Sequence, residues 1–179
     1  IMTSRPTSPR WGKMIGGGFP VGAVAGRADV MDVMDPNGTN YVFPHSGTFS
    51  ANPISMVAGH AAMRHFDQNA VERLNTLTER AHQGISEAAR RTGARACVTG
   101  GGSILRVHMK ERPPRNFREA FLNSDENVRL KALLDHLFEA GFIMINTCTA
   151  MMSTPMTEVE IDALVNACGE GFEKISKMP

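Results

Sequence analysis

Residues 11–23 read Trp-Gly-Lys-Met-Ile-Gly-Gly-Gly-Phe-Pro-Val-Gly-Ala and place one lysine, Lys13, between a tryptophan and a glycine-rich apolar run. A lysine is normally a solvated surface residue. In this setting partial desolvation would favour its neutral amine, which is the form that attacks an aldehyde. Glycines after the lysine let the backbone pass close to a flat ring or a phosphate. The stretch therefore predicts a loop that carries a reactive lysine.

A phosphate-binding loop is the alternative interpretation of the same glycines. In such a loop the lysine follows the glycines and precedes Ser or Thr, and a dinucleotide fingerprint needs a strand before it and a helix after it. In residues 11–23 the lysine comes first. The spacing therefore does not support a nucleotide-binding loop.

Residues 45–53, His-Ser-Gly-Thr-Phe-Ser-Ala-Asn-Pro, form a second candidate element. Ser46, Gly47 and Thr48 offer hydroxyls and an accessible backbone just ahead of a predicted helix start, which is an arrangement that can bind an anion. A capping loop without a ligand explains the same residues. His45 is either a residue that lines this site or a structural loop histidine.

The two elements together resemble the class-III aminotransferases, on the pattern Gly-Lys-x-Ile-Gly-Gly-Gly-x-Pro-x-Gly-Ala followed by Gly-Thr-Phe-Ser-x-Asn-Pro. The resemblance extends from about Trp11 to the end and is strongest to the branch with glutamate-1-semialdehyde 2,1-aminomutase and the β-amino-acid aminotransferases. It implies an α/β fold of type I, in which Lys13 holds pyridoxal 5'-phosphate as a Schiff base. It also implies that Thr48, with Ser46 and Gly47 beside it, binds the cofactor phosphate of the neighbouring subunit in a homodimer.

The resemblance implies transfer of an amino group between an amino acid or amine and a keto or aldehyde acceptor. Two alternatives stay open: an aminomutase of the glutamate-1-semialdehyde type, and a truncated, non-catalytic relative that pairs with a full-length subunit. Arg106 is either a ligand of a substrate carboxylate or a solvated strand residue. The stretch Met151–Pro155 either approaches the substrate or packs internally.

The chain is expected to be the carboxy-terminal half of such an enzyme. Ile1–Arg5 resembles the family segment that follows an Asp-Glu pair, whose aspartate binds the pyridine nitrogen of the cofactor. We expect residues 1–93 to be the carboxy-terminal part of the cofactor-binding large domain. Residues 94–179 are expected to form a small α+β domain.

Hydrophobic periodicity and capping signals predict the secondary structure. The glycine-rich run should enter a buried strand before Gly26, and Thr157 with Glu160 should cap the last helix. The other predicted helices are Ile54–Phe66, Asn69–Thr92 and Val128–Ala140, and the other predicted strands are Ala96–Thr99, Ser103–Met109 and Phe142–Ile145.

Composition excludes several classes of protein. Hydrophobic residues make up 42% of the chain, and no apolar run approaches the roughly 20 residues that span a bilayer, so no membrane role is indicated. A net charge of +1 argues against nucleic acid as a partner, and the basic cluster Lys110–Arg118 reads as a solvated loop. The three unpaired cysteines, Cys97, Cys148 and Cys168, suggest neither disulfides nor zinc, and fit a reducing, cytoplasmic setting.

Overall fold

The computed structural model describes residues 10–178, and the resemblance noted for Ile1–Arg5 lies outside them. The chain divides into two compact units, Ile1–Asp67 and Gln68–Pro179. Both contain helices and strands, as the predicted mixed class requires.

A short hairpin opens the described part of the first unit. Strand β1 (Arg10–Gly12) pairs antiparallel with β2 (Gly22–Val24), with Trp11 opposite Ala23. The predicted strand after the glycines is therefore present. The prediction that it is buried is wrong for the described residues, because this sheet has two strands and all three residues of β2 are exposed.

Two helices complete the first unit. Helix α1 (Ala28–Met31) runs into a 3-10 turn over Asp32–Met34, and a turn follows in which the Gly38 amide donates to the Asp35 carbonyl at 2.9 Å. Helix α2 (Pro53–His65) begins at the predicted place. The Asn52 side chain accepts hydrogen bonds from the first amides of α2, and a proline suits the first helical turn.

Three long helices dominate the second unit: α3 (Gln68–Thr92), α5 (Ser124–Glu139) and α6 (Glu158–Ile175), with the short α4 (Phe117–Ala120) between the first two. Helix α6 packs against both α3 and α5. Apolar residues at spacings of three and four make its inner face. Residues buried in this core include Leu77, Ala81, Ile85, Leu133, Leu137, Cys168 and Phe172.

Capping boxes begin two of these helices. Thr157 and Glu160 form the one predicted for α6. Asn123 and Glu126 form another at α5, which therefore starts four residues before the predicted Val128. The Asn-x-x-Glu spacing was present in the sequence, and it fixes the helix start ahead of the first apolar repeat.

A three-stranded antiparallel sheet packs against α3 in the order β3 (Cys97–Gly101), β4 (Ile104–His108) and β5 (Thr149–Met151). The first two strands were predicted, and they bury Leu105 and Val107. The prediction of a strand at Phe142–Ile145 is wrong. This segment alternates half-buried and exposed residues as a strand does, but Thr149–Met151 supplies the residues that pair with β4.

The boundary between the compact units lies at Asp67–Gln68, whereas the domain boundary predicted from the sequence lies after residue 93. Helix α3 joins the second unit because its apolar face packs on α6 and β3. The assignment of residues 1–93 to a cofactor-binding large domain stays a prediction.

The basic cluster is exposed at Arg112, Arg115 and Arg118, as predicted for a solvated loop, but Lys110 departs from this prediction. The Lys110 ammonium is mostly buried and donates to both carboxylate oxygens of Glu126, at 2.9 and 2.8 Å. Arg115 pairs with Glu119 on α4. Acidic residues at the helix starts therefore neutralise positive charges that the sequence presents as one run.

The three cysteines are free thiols, and burial raises the pKa of the Cys148 thiol to about 12. Residues 10–178 contain no helix with the length and apolar character needed to cross a membrane.

His108 on β4 is a buried histidine whose protonation should affect stability. Its Nε2 lies 2.8 Å from the Thr99 hydroxyl, and its buried Nδ1 has no hydrogen-bond partner among the described residues. Burial lowers the pKa of His108, and the nearby charges of Arg106 and Lys110 lower it further. The folded protein therefore disfavours the proton that an unfolded histidine accepts near pH 6.5.

We expect the free energy of unfolding to fall as the pH drops below about 6.5, because the unfolded state then binds more protons than the folded state. The contribution of His108 is fully favourable above that pH and is lost progressively as the pH falls through the window between the two pKa values. Urea unfolding across this range should show a shallower pH dependence in His108→Gln, with the exposed His60→Gln as control. Equal pH dependence in the wild type and His108→Gln would contradict this prediction.

Candidate active site

Lys13 directly follows β1 and is the first residue of a 3-10 turn over Lys13–Gly16. Its side chain is exposed, and Trp11 beside it is 48% exposed. The described residues therefore do not supply the desolvation expected from the sequence. They do leave the amine accessible to a ligand.

The backbone of Lys13 has a φ of 58°, in the left-handed region that side chains other than glycine rarely adopt. This conformation costs about 1 kcal/mol or more and persists only where the surrounding structure determines it. Pairing of Gly12 with Gly22 closes the base of the loop, and the Gly17 and Phe19 amides each donate at 3.0 Å within it. The lysine is therefore held in a defined turn.

Ser46, Gly47 and Thr48 are exposed and line an open cleft of ≈ 890 Å³, to which His45, Arg10 and Trp11 also contribute. The Ser50 amide donates to the Gly47 carbonyl at 2.9 Å, so the segment is turned. The cleft therefore combines hydroxyl groups with the positive charge of Arg10, a combination that suits an anion. Lys13 does not line it, so the described structure brings Ser46, Gly47 and Thr48 together without the lysine.

Two further candidates lie in the second unit. Arg106 is half-buried on β4, and its Nε donates to the Thr147 carbonyl at 3.2 Å, so it is not simply a solvated strand residue. Met152 is buried and Met151 is 65% exposed, so only one residue of the methionine pair packs internally. Contact of Arg106 or Met151 with a substrate stays a prediction.

Sequence reasoning missed two residues that bear on Lys13. Ser55 and Gly59 are the buried residues of α2, and both contact the loop that carries the lysine. The sequence pattern that could have indicated them is a pair of small residues four positions apart. This spacing places both residues on one face of a helix, and their small size permits close approach of another backbone.

The described residues thus present an exposed, turn-held lysine and a separate cleft lined by hydroxyls. A model of the family described as aminotransferase class-III matches residues 9–176. The chain belongs to the class-III aminotransferase family, as its sequence motifs indicated.

Individual relatives agree with this assignment. The glutamate-1-semialdehyde 2,1-aminomutase of Desulforudis audaxviator is 38% identical over 90% of this chain and 37% of that protein. The structure of an omega-transaminase from Sphaerobacter thermophilus has a TM-score of 0.89 and 38% identity, and the match covers 95% of this chain and 39% of that one. A transaminase with pyridoxal phosphate bound has a TM-score of 0.82 and 32% identity, covering 97% and 39%. The chain thus spans about two fifths of the length of these relatives.

Proposed function

We propose that the protein is a pyridoxal-phosphate-dependent aminotransferase that moves an amino group from an amino acid or amine to a keto or aldehyde acceptor. The observation that carries this proposal is Lys13, which is exposed, turn-held and directly after β1 in a glycine-rich loop. A solvated lysine with no specific role would not require a positive φ in a loop that pairing and turn hydrogen bonds hold in place.

The residues present fit pyridoxal phosphate. The Lys13 amine is accessible to an aldehyde, while Ser46 and Thr48 provide hydroxyls and Gly47 an open backbone for a phosphate. When bound, the cofactor supplies the aldehyde that captures amines and a ring that accepts electrons from the carbon being deprotonated. Lys13 Nζ, in its free neutral form, is the base that takes the proton from the α carbon of an amino substrate.

Thr48, Ser46 and Gly47 are proposed to bind the phosphate of the cofactor in a partner subunit, in a homodimer with shared active sites. Their cleft supports this proposal, since it has anion-binding groups and is not lined by Lys13 of the same chain. In such a dimer each chain would contribute the lysine to one site and the hydroxyls to the other.

An aminomutase is the second candidate, because the relatives named glutamate-1-semialdehyde 2,1-aminomutase are 34% and 38% identical to this chain. Such an enzyme returns the amino group to the same carbon skeleton. It requires the same lysine and phosphate contacts, so these residues support both candidates.

Dependence on a separate acceptor tests the proposal. The protein is first incubated with pyridoxal phosphate. Amino acids or amines that carry an isotopically labelled amino group are then added, in the presence or the absence of a keto acid. An aminotransferase should convert about one equivalent of donor and stop without acceptor, and should transfer the label when acceptor is added. Continued isomerisation without acceptor would instead identify an aminomutase, and no label transfer with any donor would contradict the aminotransferase.

A cytoplasmic location is proposed as well. Three free cysteines among the described residues support it, since thiols remain reduced in that compartment.

A further inference from the structure

Helix α2 has a narrow buried face made of small residues. Ser55 is 2% exposed and Gly59 is also buried, while most of the other residues of α2 are exposed. Residues four positions apart lie one turn above each other on the same side of a helix. This face contacts the loop between β1 and β2 that begins with Lys13.

A hydrogen bond fixes the far end of that loop to α2. The Ser55 hydroxyl donates to the Pro20 carbonyl at 3.0 Å, across 35 positions of sequence. The Ser55 side of this contact is buried and the Pro20 side is exposed, so removing the hydroxyl would take from the Pro20 carbonyl the donor that ties it to α2.

Glycines bring the near end of the loop against the same helix. A Cβ at Gly59 would overlap the Ile15 carbonyl oxygen, and a Cβ at Gly17 would overlap the Ala58 carbonyl oxygen. Gly17 also has a φ of 56°, which suits glycine. Helix α2 therefore contacts both ends of the loop.

These contacts bear directly on the lysine. The loop is closed at its base by pairing of Gly12 with Gly22, and α2 then fixes Ile15–Gly17 and Pro20. Little freedom remains for Lys13, which explains how it keeps a positive φ. A reacting group that moves by about 1 Å can lose roughly 100-fold in rate.

We propose that Ser55 is a positioning residue for Lys13, which it orients by holding the Pro20 end of the lysine loop against α2. The inference rests on the proposed function, in which Lys13 binds the cofactor aldehyde. Ser55 acts through the backbone of the loop and does not contact the reacting atoms.

The test measures how fast pyridoxal phosphate labels Lys13. Each protein is mixed with pyridoxal phosphate, reduced with borohydride at set times and digested, and peptide mass spectrometry gives the ratio of labelled Lys13 to labelled Lys177. Lys177 is an exposed lysine that reports general reactivity in the same sample. A loss of folding would change many lysines together, whereas a positioning effect changes the ratio.

Two variants separate hydrogen bonding from packing. Ser55→Ala removes the hydroxyl, and Ser55→Cys keeps a side chain of similar shape with only a weak donor. Ser124→Ala is the matched control, since Ser124 is an exposed serine in the second unit. Urea unfolding shows which variants remain folded, and Ser55→Cys decides the question if Ser55→Ala does not fold.

We expect the Lys13 to Lys177 ratio to fall about tenfold in Ser55→Ala and Ser55→Cys, and to stay at the wild-type value in Ser124→Ala. A wild-type ratio in folded Ser55→Ala, or its restoration in Ser55→Cys, would overturn the positioning role while leaving the proposed function intact. A wild-type protein that is not labelled at Lys13 would overturn the proposed function, and this inference with it.

Discussion

The Lys13→Ala protein should transfer amino groups at least about 1,000-fold more slowly than the wild type, because under the proposed function it would lack both the amine that binds the cofactor and the base for proton transfer. The substitution should change the local structure little, since the loop is held by Gly12, Gly17 and the contacts with α2. The variant should therefore stay folded. Amino transfer to a keto acid, measured with the donor that the wild type uses best, gives the rates.

Lys177→Ala is the control for this loss. Lys177 is exposed and belongs to the second unit, so its removal changes the charge by the same amount and leaves the residues of the loop unchanged. We expect wild-type rates from it. Transfer by Lys13→Ala within about tenfold of the wild type would mean that another group performs the proton transfer.

Replacing Phe172 with alanine should lower the free energy of unfolding of the second unit by about 3–5 kcal/mol. Phe172 is 0% exposed in the last turn of α6, a helix that packs against both α3 and α5. The loss combines the buried apolar surface of the ring with a cavity that the surrounding helices cannot fully close. A change of this size is a large part of the stability of a typical domain.

Circular dichroism during urea unfolding is the suitable measurement, because α3, α5 and α6 provide most of the helical signal of the described residues. The chain's single tryptophan, Trp11, lies in the first unit and reports on that unit separately. Phe138→Ala is the matched control, since this phenylalanine of α5 is 67% exposed and its loss should cost within about 0.5 kcal/mol. Equal losses from the two variants would show that α6 does not form the core described.

The helices were predictable where periodicity and capping agree. The apolar spacing of α3 predicted that helix almost at its observed limits, and the Thr157–Glu160 box predicted the start of α6. The strand at Phe142–Ile145 failed because alternation shows only that a segment suits a strand, whereas pairing depends on which residues reach β4. That contact joins positions far apart in the sequence, at Arg106 and Thr149, and local pattern contains no information on it.

The candidate site likewise has residues that local sequence could predict and residues that it could not. Lys13 could be proposed from its own neighbours, because a lysine ahead of glycines is a local pattern, and so could the hydroxyls of Ser46 and Thr48. Ser55 could not, because its proposed role depends on the carbonyl of Pro20, which only the folded chain brings within 3.0 Å. The exposure of Lys13 was likewise not apparent from an apolar local sequence.

The most direct test of the central claim is to add pyridoxal phosphate to the purified protein, reduce with borohydride and locate the modified residue by peptide mass spectrometry. We predict a phosphopyridoxyl group on Lys13 that forms well before exposed lysines such as Lys177 react, and that is absent from Lys13→Ala. Folded protein in which Lys13 is unmodified, or is modified no faster than Lys177, would contradict the assignment of Lys13 as the residue that binds the cofactor.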